Sequence, residues 1–133
     1  MWLDYFIASK EEVLAFLEEI DRIINMKHFN VDVNFSFDYH RQENANSLDM
    51  LDYKVKDVIG EIKELTLNNY CQSVPDINRN DGIPYFVFYK DVMGMEFYIK
   101  IKIKNGKLII CKSFHKAKYS HREFPYIEGD QNE

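Results

Sequence analysis

The sequence predicts an α+β domain in which two amphipathic helices pack on a twisted, mainly antiparallel sheet that ends in a three-strand meander. Two segments in the first half of the chain repeat apolar residues at helical spacing. The second half holds an aromatic run and then a long hairpin whose arms alternate apolar and polar residues around an Asn-Gly pair. Helices followed by a run of antiparallel strands are typical of the α+β class.

The first predicted helix covers residues 9–26. Ser9 and Glu12 form a capping-box pattern, in which each side chain bonds the backbone amide of the other residue. One face then repeats apolar residues at helical spacing: Val13, Leu14, Phe16, Leu17, Ile20, Ile23 and Ile24. We expect this face to be buried and the acidic face of the helix to be solvated.

The next segments predict a strand, a loop and a second helix. Alternation of apolar and polar residues predicts a strand over residues 28–37. Residues 38–46 are polar and aperiodic, so His40 and Arg41 are expected in an exposed loop. Apolar residues at helical spacing predict the second amphipathic helix over residues 52–65.

The remaining segments connect these elements to the hairpin and close the chain. Residues 73–84 are rich in Pro, Gly, Asp and Asn and predict a loop. The run from Tyr85 to Tyr89 is aromatic and β-branched, which predicts a strand inside the sheet. After the hairpin, the aromatic cluster at residues 124–126 is expected to pack back on the body of the domain.

The hairpin is the clearest element of the sequence. Asn105 and Gly106 tolerate positive φ and predict a two-residue type I′ turn. In this turn Ile103 faces Leu108, Tyr98 faces Ser113 and Phe97 faces Phe114. In this register the buried face carries Phe97, Ile99, Ile101, Ile103, Leu108, Ile110 and Phe114. The opposite, polar face carries Tyr98, Lys100, Lys102, Cys111, Ser113 and His115. A one-residue slip would exchange the two faces, so the register decides which side chains can form a site.

Charge is unevenly distributed along the chain, although the net charge is −5. Residues 1–84 hold 8 Lys/Arg and 16 Asp/Glu, whereas residues 85–122 hold 9 Lys/Arg and 2 Asp/Glu. A concentrated basic segment attracts phosphate even on an acidic protein. Lysines that keep a sheet soluble give the same pattern. Charge alone therefore leaves both an RNA partner and a purely structural domain open.

Length and composition predict one domain over residues 1–133, with residues 128–133 as a frayed tail. Apolar runs are too short for a membrane span, and no basic region precedes the partly apolar start, so a cytoplasmic protein is expected. Cys71 and Cys111 show no framework spacing and predict reduced thiols. No Gly-rich phosphate loop and no metal-ligand spacing is present, so neither a cofactor nor a metal is expected.

A metal-free set of imidazole, amine and phenol can cleave RNA. The ribose 2′-OH attacks the neighbouring phosphate, a base takes its proton, an acid protonates the leaving 5′-oxygen, and cations stabilise the developing charge. Histidine suits acid and base work near neutral pH, and His115 is on the predicted polar face. A nucleophile pair of Cys111 and His115 is disfavoured, because four residues of strand separate them by ~13 Å.

Five segments together resemble one protein family: residues 97–103, 109–119, 65–70, 85–89 and 124–126. The resemblance is to the MqsR-like toxins, RelE-superfamily mRNA interferases of bacterial type II toxin–antitoxin systems. It implies a RelE-like fold and a metal-independent endoribonuclease that cleaves mRNA, free or on the ribosome. It also implies a cognate antitoxin protein as the partner that neutralises the toxin.

The resemblance assigns the catalytic roles to Tyr98, Lys100 and His115. Tyr98 is expected to orient or donate to the scissile phosphate, Lys100 to stabilise charge, and His115 to act as general acid or base. The basic residues expected to contact RNA are Lys102, Lys116, Lys118 and Arg122. The family carries a lysine where Cys71 and Gln72 stand here, and a polar residue near Val87. A non-catalytic RNA- or protein-binding module of the same fold is the alternative.

Overall fold

The computed structural model describes residues 5–76, 81–119 and 123–127 and has an α+β fold. Its helices are α1 (Lys10–Ile24), α2 (Val31–Asn34), α3 (Gln42–Leu51) and α4 (Val55–Lys63). Its strands are β1 (Phe35–Phe37), β2 (Tyr70–Val74), β3 (Tyr85–Val92), β4 (Met95–Lys104) and β5 (Leu108–Lys116). The strands form one mixed sheet in the order β1-β5-β4-β3-β2, in which only β1 and β5 are parallel.

The first helix is confirmed, with its capping box. The Glu12 amide donates to Ser9 Oγ over 3.1 Å, and the Ser9 amide donates to Glu12 Oε1 over 2.8 Å. The apolar face of α1 contributes to the hydrophobic core together with the apolar face of α4. The buried residues of these two faces are Val13, Ile20, Ile23, Val58, Ile59 and Ile62. These two helices are thus the predicted amphipathic layer.

The strand predicted over residues 28–37 is wrong for most of its length. Asn30 caps a helical turn, because its side-chain oxygen accepts the Asp32 amide over 2.8 Å, and α2 follows. Only Phe35–Phe37 pairs with the sheet, as the parallel edge strand β1. Alternating apolar residues therefore gave the right residue types for a strand, but a local cap redirected the first half of the segment.

Helix α3 begins in the segment 38–46, where the sequence predicts an exposed loop, and ends just before the second predicted helix. The predicted helix over residues 52–65 begins later, because Asp52 ends α3 in the left-handed conformation (φ 57°) and α4 starts at Val55. Asn44 explains the position of α3. Its fully buried amide group donates to the carbonyls of Asp38 and Lys112 over 2.9 Å and accepts the Phe114 amide over 2.9 Å. Asn44 thereby satisfies the edge of β5 beyond the end of β1.

Replacing Asn44 by alanine should destabilise the fold by about 2–4 kcal/mol, because three backbone groups lose their partner and a buried unsatisfied group costs about 1–3 kcal/mol. Urea unfolding followed by circular dichroism measures this change. Asn46→Ala is the matched control, since Asn46 is exposed in the same helix and the gain in helix propensity is the same. Equal stabilities of the two variants would contradict the role given to Asn44.

Strand β2 was not expected from the sequence, which predicts a loop from residue 73. It extends the confirmed meander of β3, β4 and β5 to four antiparallel strands. Long-range bonds hold it in place: the Ala8 amide donates to the Tyr70 hydroxyl over 2.9 Å, and Ser73 exchanges backbone bonds with Phe6. Tyr126 stacks on Tyr70 at 6.0 Å between ring centroids, which confirms that the C-terminal aromatic cluster packs on the body.

The hairpin keeps its predicted turn but not its predicted register. Asn105 and Gly106 have positive φ (58° and 65°), as a type I′ turn requires. Lys107 is left outside the ladder because its carbonyl accepts the Asn34 side chain over 2.9 Å, and Lys104 pairs with Leu108. A second irregularity at residue 112 moves the register by one more position. The predicted pairs of Ile103 with Leu108 and of Phe97 with Phe114 are therefore wrong.

The two irregularities have opposite effects on the faces of β5. Between them, Cys111 faces the core, fully buried, and Ile110 faces the polar side, contrary to the prediction for both residues. After the second one, Ser113 and His115 return to the polar face. The predictions for Arg122 and for a frayed tail concern residues 120–122 and 128–133, which lie outside the described residues. In the described ranges no helix is long and apolar enough to cross a membrane.

Candidate functional site

Tyr98 and His115 form a direct cross-strand pair on the polar face of the sheet. The pairing follows from the corrected register, which sets Tyr98 opposite His115 and Lys100 opposite Ser113. The two rings are stacked, with centroids 5.3 Å apart and an interplanar angle of 25°. The sequence predicts all four residues on this face, but with Tyr98 opposite Ser113. The structure brings the phenol and the imidazole closer together than the predicted register does.

The predicted catalytic residues line one cleft of about 340 Å³. Its walls come from β2, β3, β4, β5, the segment after β5 and the residue that precedes α3. Its lining residues include Arg41, Gln72, Tyr98, Lys100, His115 and Lys118. No carboxylate from the described ranges is among its lining residues. The cleft therefore combines cations, phenols and an imidazole, and the carboxylate at its border, Glu43, is paired with Lys118.

Tyr98 is a neutral phenol in this cleft. Burial raises the pKa of its hydroxyl to about 12, and the neighbouring phenol of Tyr89 acts in the same direction. The rings of Tyr89 and Tyr98 meet edge to face at 5.4 Å between centroids. A phenol with so high a pKa keeps its proton at neutral pH, so Tyr98 can donate a hydrogen bond to an anion.

Lys100 is the amine at the centre of the cleft. Burial lowers the pKa of its ammonium group, and the nearby charges of Arg41 and Lys112 lower it further. The ammonium lies 5.1 Å from the centroid of the Tyr85 ring, a favourable position for a cation. A partly buried ammonium beside other cations is a suitable group for binding an anion.

His115 is held by its own strand and by Tyr98. Its side chain is only 7% exposed, and Nδ1 lies 3.0 Å from the Lys116 carbonyl oxygen. A carbonyl can only accept, so this contact assigns the proton to Nδ1 and leaves Nε2 as the acceptor of the ring. A base that is oriented in this way has one nitrogen available for a proton from a ligand.

Arg41 is a cleft residue that the sequence analysis missed. It precedes α3, so it lies in the cleft and not in an exposed loop. Its Nε is buried and finds no hydrogen-bond partner in the part of the chain that the structure describes. Its closest acid is Glu43, at 3.8 Å from Nη1. The only sequence signal for the helix that positions it is the apolar pair Ala45 and Leu48, three residues apart.

Lys102 does not present a free cation. It is fully buried on the polar side of the sheet, where its ammonium pairs with Asp76 at 2.9 Å and with Asp81 at 3.2 Å. The ring of Tyr85 lies 4.9 Å from the same ammonium. Lys102 thus binds Asp76, which follows β2, and Asp81, which precedes β3. We therefore remove it from the residues expected to contact RNA.

The other predicted RNA contacts differ in position. Lys118 lines the cleft and is paired with Glu43, whose pKa is lowered mainly by that bond. Lys116 is exposed and lines a neighbouring hollow that also includes Glu43 and His115. Arg122 lies outside the described residues. Lys116 and Lys118 therefore border the cleft, and Lys118 is partly neutralised by an acid.

The two positions that depart from the pattern of the MqsR-like toxins, Gln72 and Val87, have different surroundings. Gln72 lines the cleft and can offer an amide where the family offers a lysine. Val87 pairs with Lys100 across the strands and is fully buried. The larger cavity, about 710 Å³, is lined by residues such as Asp38, His40 and Ile110, and Tyr98, Lys100 and His115 are not among its described lining residues. The smaller cleft is the one that brings the predicted chemistry together.

No metal-binding group of His, Cys, Asp and Glu occurs among residues 5–76, 81–119 and 123–127. Cys111 is buried in the core, where burial raises the pKa of its thiol, so it does not take part in the cleft. The chemistry available in the cleft is therefore that of the imidazole, the phenol and the cations.

The chain is similar to an uncharacterized protein of Acanthamoeba polyphaga mimivirus. The two sequences are 27% identical over 136 aligned positions, which cover 98% of this chain and 18% of the viral protein. This chain thus corresponds to less than a fifth of that relative. No protein-family model matches the chain, and no solved structure matches it.

Proposed function

We propose that this protein is a metal-independent endoribonuclease with a RelE-like fold, and that it cleaves mRNA in the cytoplasm. The observation that carries the proposal is the stacked pair of Tyr98 and His115 beside Lys100 in one cleft without carboxylates. These three side chains come from two strands and can reach a single phosphate group. The family resemblance supports the same reaction and the same three residues.

The proposed reaction is transesterification within the RNA. His115 Nε2 takes the proton of the ribose 2′-OH, whose oxygen attacks the adjacent phosphorus atom. The bond from phosphorus to the 5′-oxygen breaks, and that oxygen receives a proton from an acid or from water. The products are a 2′,3′-cyclic phosphate and a 5′-hydroxyl. Lys100 and the neutral hydroxyl of Tyr98 stabilise the charge that develops on the phosphate oxygens.

The RNA strand is proposed to follow the exposed residues at the border of the cleft. Tyr119 lines the cleft and is 76% exposed, so a base can stack on its ring, which is worth about 1–3 kcal/mol per base. Lys116 and Lys118 are placed to contact the backbone, and Lys118 exchanges Glu43 for phosphate when RNA binds. Contacts of this kind weaken with salt because counterions are released from the RNA.

A non-catalytic RNA-binding module is the alternative function, and the burial of His115 favours it. An imidazole that is 7% exposed reaches a 2′-OH only if the ribose enters the cleft deeply. RNA bound more shallowly would contact Lys116, Lys118 and Tyr119 without reacting. The two functions therefore share a surface and differ in the depth of binding.

Purified protein should cleave single-stranded RNA in the presence of EDTA and leave 2′,3′-cyclic phosphate ends, because each proposed step uses side chains alone. Gel analysis of end-labelled RNA, with periodate and phosphatase treatment of the products, measures both the cuts and their ends. RNA methylated at the 2′-oxygens is the matched control, since it binds the same cations but lacks the nucleophile. Binding of both RNAs without any cutting would favour the alternative.

A cognate antitoxin protein is proposed as the partner that neutralises the activity. The support for this partner is the family resemblance. Inducible expression tests it: growth arrest with loss of mRNA, relieved by co-expression of a neighbouring small open reading frame, supports a toxin with its antitoxin. Harmless expression of an active, soluble nuclease would contradict it.

A further inference from the structure

We infer that Arg41 and Lys100 form a phosphate-binding subsite that holds a phosphate group whether or not the cleft cleaves RNA. The statement that this phosphate belongs to an RNA backbone rests on the proposed function. The statement that the subsite binds phosphate is independent of it. The sequence predicts Arg41 in an exposed loop, and its role in binding phosphate follows from its surroundings in the structure.

The Nε–H donor of Arg41 is buried and lacks a hydrogen-bond partner within the described ranges. A buried donor without a partner costs about 1–3 kcal/mol, so such groups are rare unless a ligand satisfies them. Arginine presents its N–H groups in a planar fork that matches two oxygens of a phosphate. Arg41 lines the cleft and its side chain is 37% exposed, so an oxyanion in the cleft can approach the guanidinium group.

Arg41 and Lys100 are neighbouring cations with little counter-charge, since the acid nearest to Arg41 in the described ranges is Glu43, at 3.8 Å from Nη1. The charge of Arg41 lowers the pKa of Lys100, which means that the two cations lie close enough to repel each other. Other lysines on this face are paired: Lys102 with Asp76, Lys112 with Asp38, and Lys118 with Glu43. For Lys100, the described part of the chain offers no ion pair within 4 Å. A bound anion would relieve the repulsion and supply the missing acceptor.

Several elements of the fold position the residues of this subsite. Arg41 is fixed by the start of α3, which Asn44 bonds to β5, and Lys100 is fixed in β4 between Val87 and Ser113. Ser113 is only 2% exposed and lines the same cleft, and the neutral phenol of Tyr98 lies alongside. Two cations and two hydroxyls in one cleft can donate to the oxygens of a phosphate group, and no carboxylate is among the described lining residues.

Arginine Nε–Hε resonances of the 15N-labelled full chain test this subsite directly. The sequence has four arginines, so the spectrum has few signals, and the Arg41→Lys variant identifies the one that belongs to Arg41. Sodium phosphate is added at constant ionic strength, with sodium chloride as the reference titration. We expect a saturable shift of the Arg41 signal with phosphate and none with chloride. Arg22, which is exposed and bonded to Glu19, is the internal control and should stay unchanged.

Variants then separate the subsite from general charge effects. Lys100→Gln should weaken phosphate binding about 10-fold or more, because a bond to a charged group contributes about 1.5–3 kcal/mol. Lys27→Gln removes an exposed charge in the segment between α1 and α2, which does not line the cleft, and should change phosphate binding less than 2-fold. The backbone spectrum of each variant confirms that it is folded. An Arg41 signal that responds equally to phosphate and chloride, or to neither, would overturn the inference.

A second titration identifies the source of the phosphate. RNA methylated at the 2′-oxygens cannot be cleaved, so binding is measured apart from any reaction. If this RNA shifts the Arg41 signal at concentrations far below those of inorganic phosphate, the subsite holds an RNA backbone. If only inorganic phosphate shifts it, the subsite holds free phosphate or a phosphomonoester. A shift in either titration together with an inactive protein supports the subsite and counts against the nuclease.

Discussion

Replacing Lys102 by alanine is expected to lower the free energy of unfolding by about 3–5 kcal/mol, because it removes a buried cation that two carboxylates share. The side chain of Asp76 is only 5% exposed, so its carboxylate cannot regain the water that it lost on folding. The change also removes a long side chain that fills the space beside Tyr85. Urea unfolding measures the loss.

The matched control for Lys102 lies two residues along the same strand. Lys104 is on the same face of β4 and is partly exposed, so Lys104→Ala should change stability by less than about 0.5 kcal/mol. The double variant with Lys102→Met and Asp76→Asn should be more stable than the sum of the two single changes predicts, because both members of the pair are then neutral. Equal losses for the alanine variants of Lys102 and Lys104 would show that the buried pair contributes nothing.

His115→Gln is expected to reduce the rate of RNA cleavage by about 10²–10⁴-fold, since general acid–base catalysis contributes that much. Glutamine keeps the size of the side chain and can still donate to the Lys116 carbonyl, so the fold should persist while proton transfer is lost. Single-turnover cleavage of a labelled oligonucleotide in EDTA gives the rate. Binding of 2′-O-methyl RNA by the variant should be nearly unchanged.

His28 supplies the control for this loss. It is exposed and lies in the segment between α1 and α2, remote in sequence from the cleft residues, so His28→Ala should cleave at the wild-type rate. If His115→Gln also cleaves at that rate, the base assigned here is wrong and the cleft works through another group. The His115 variant tests the role of this one residue. The assay of the wild-type protein in EDTA tests the proposed function itself.

The features predicted correctly from the sequence depend on short-range patterns. The capping box of α1, the apolar face of α4, the meander and the type I′ turn each depend on residues within a few positions of one another. Period and turn chemistry are local properties, so a single sequence reveals them. The same patterns placed Tyr98, Lys100 and His115 on the polar face.

The features predicted wrongly depend on side chains that are distant in the sequence. Asn34 takes the Lys107 carbonyl, and Asn44 bonds the backbone on both sides of residue 113. These two asparagines accompany the register shifts that send Cys111 inward and Ile110 outward. Nothing in the alternation of the hairpin reveals them, because an asparagine in a polar segment has the same appearance whether it is solvated or buried.

The sequence by itself determined the class of the fold, the face of the sheet that carries the chemistry, and three of the residues in the cleft. The tertiary structure decided which cations are available: it enclosed Lys102 between two acids and brought Arg41 into the cleft. The physical reason is the range of the interactions. Periodicity and capping act over a few residues, whereas the ion pairs of Lys102 join residues 21 and 26 positions apart, and the bond from Asn34 to the Lys107 carbonyl joins residues 73 positions apart.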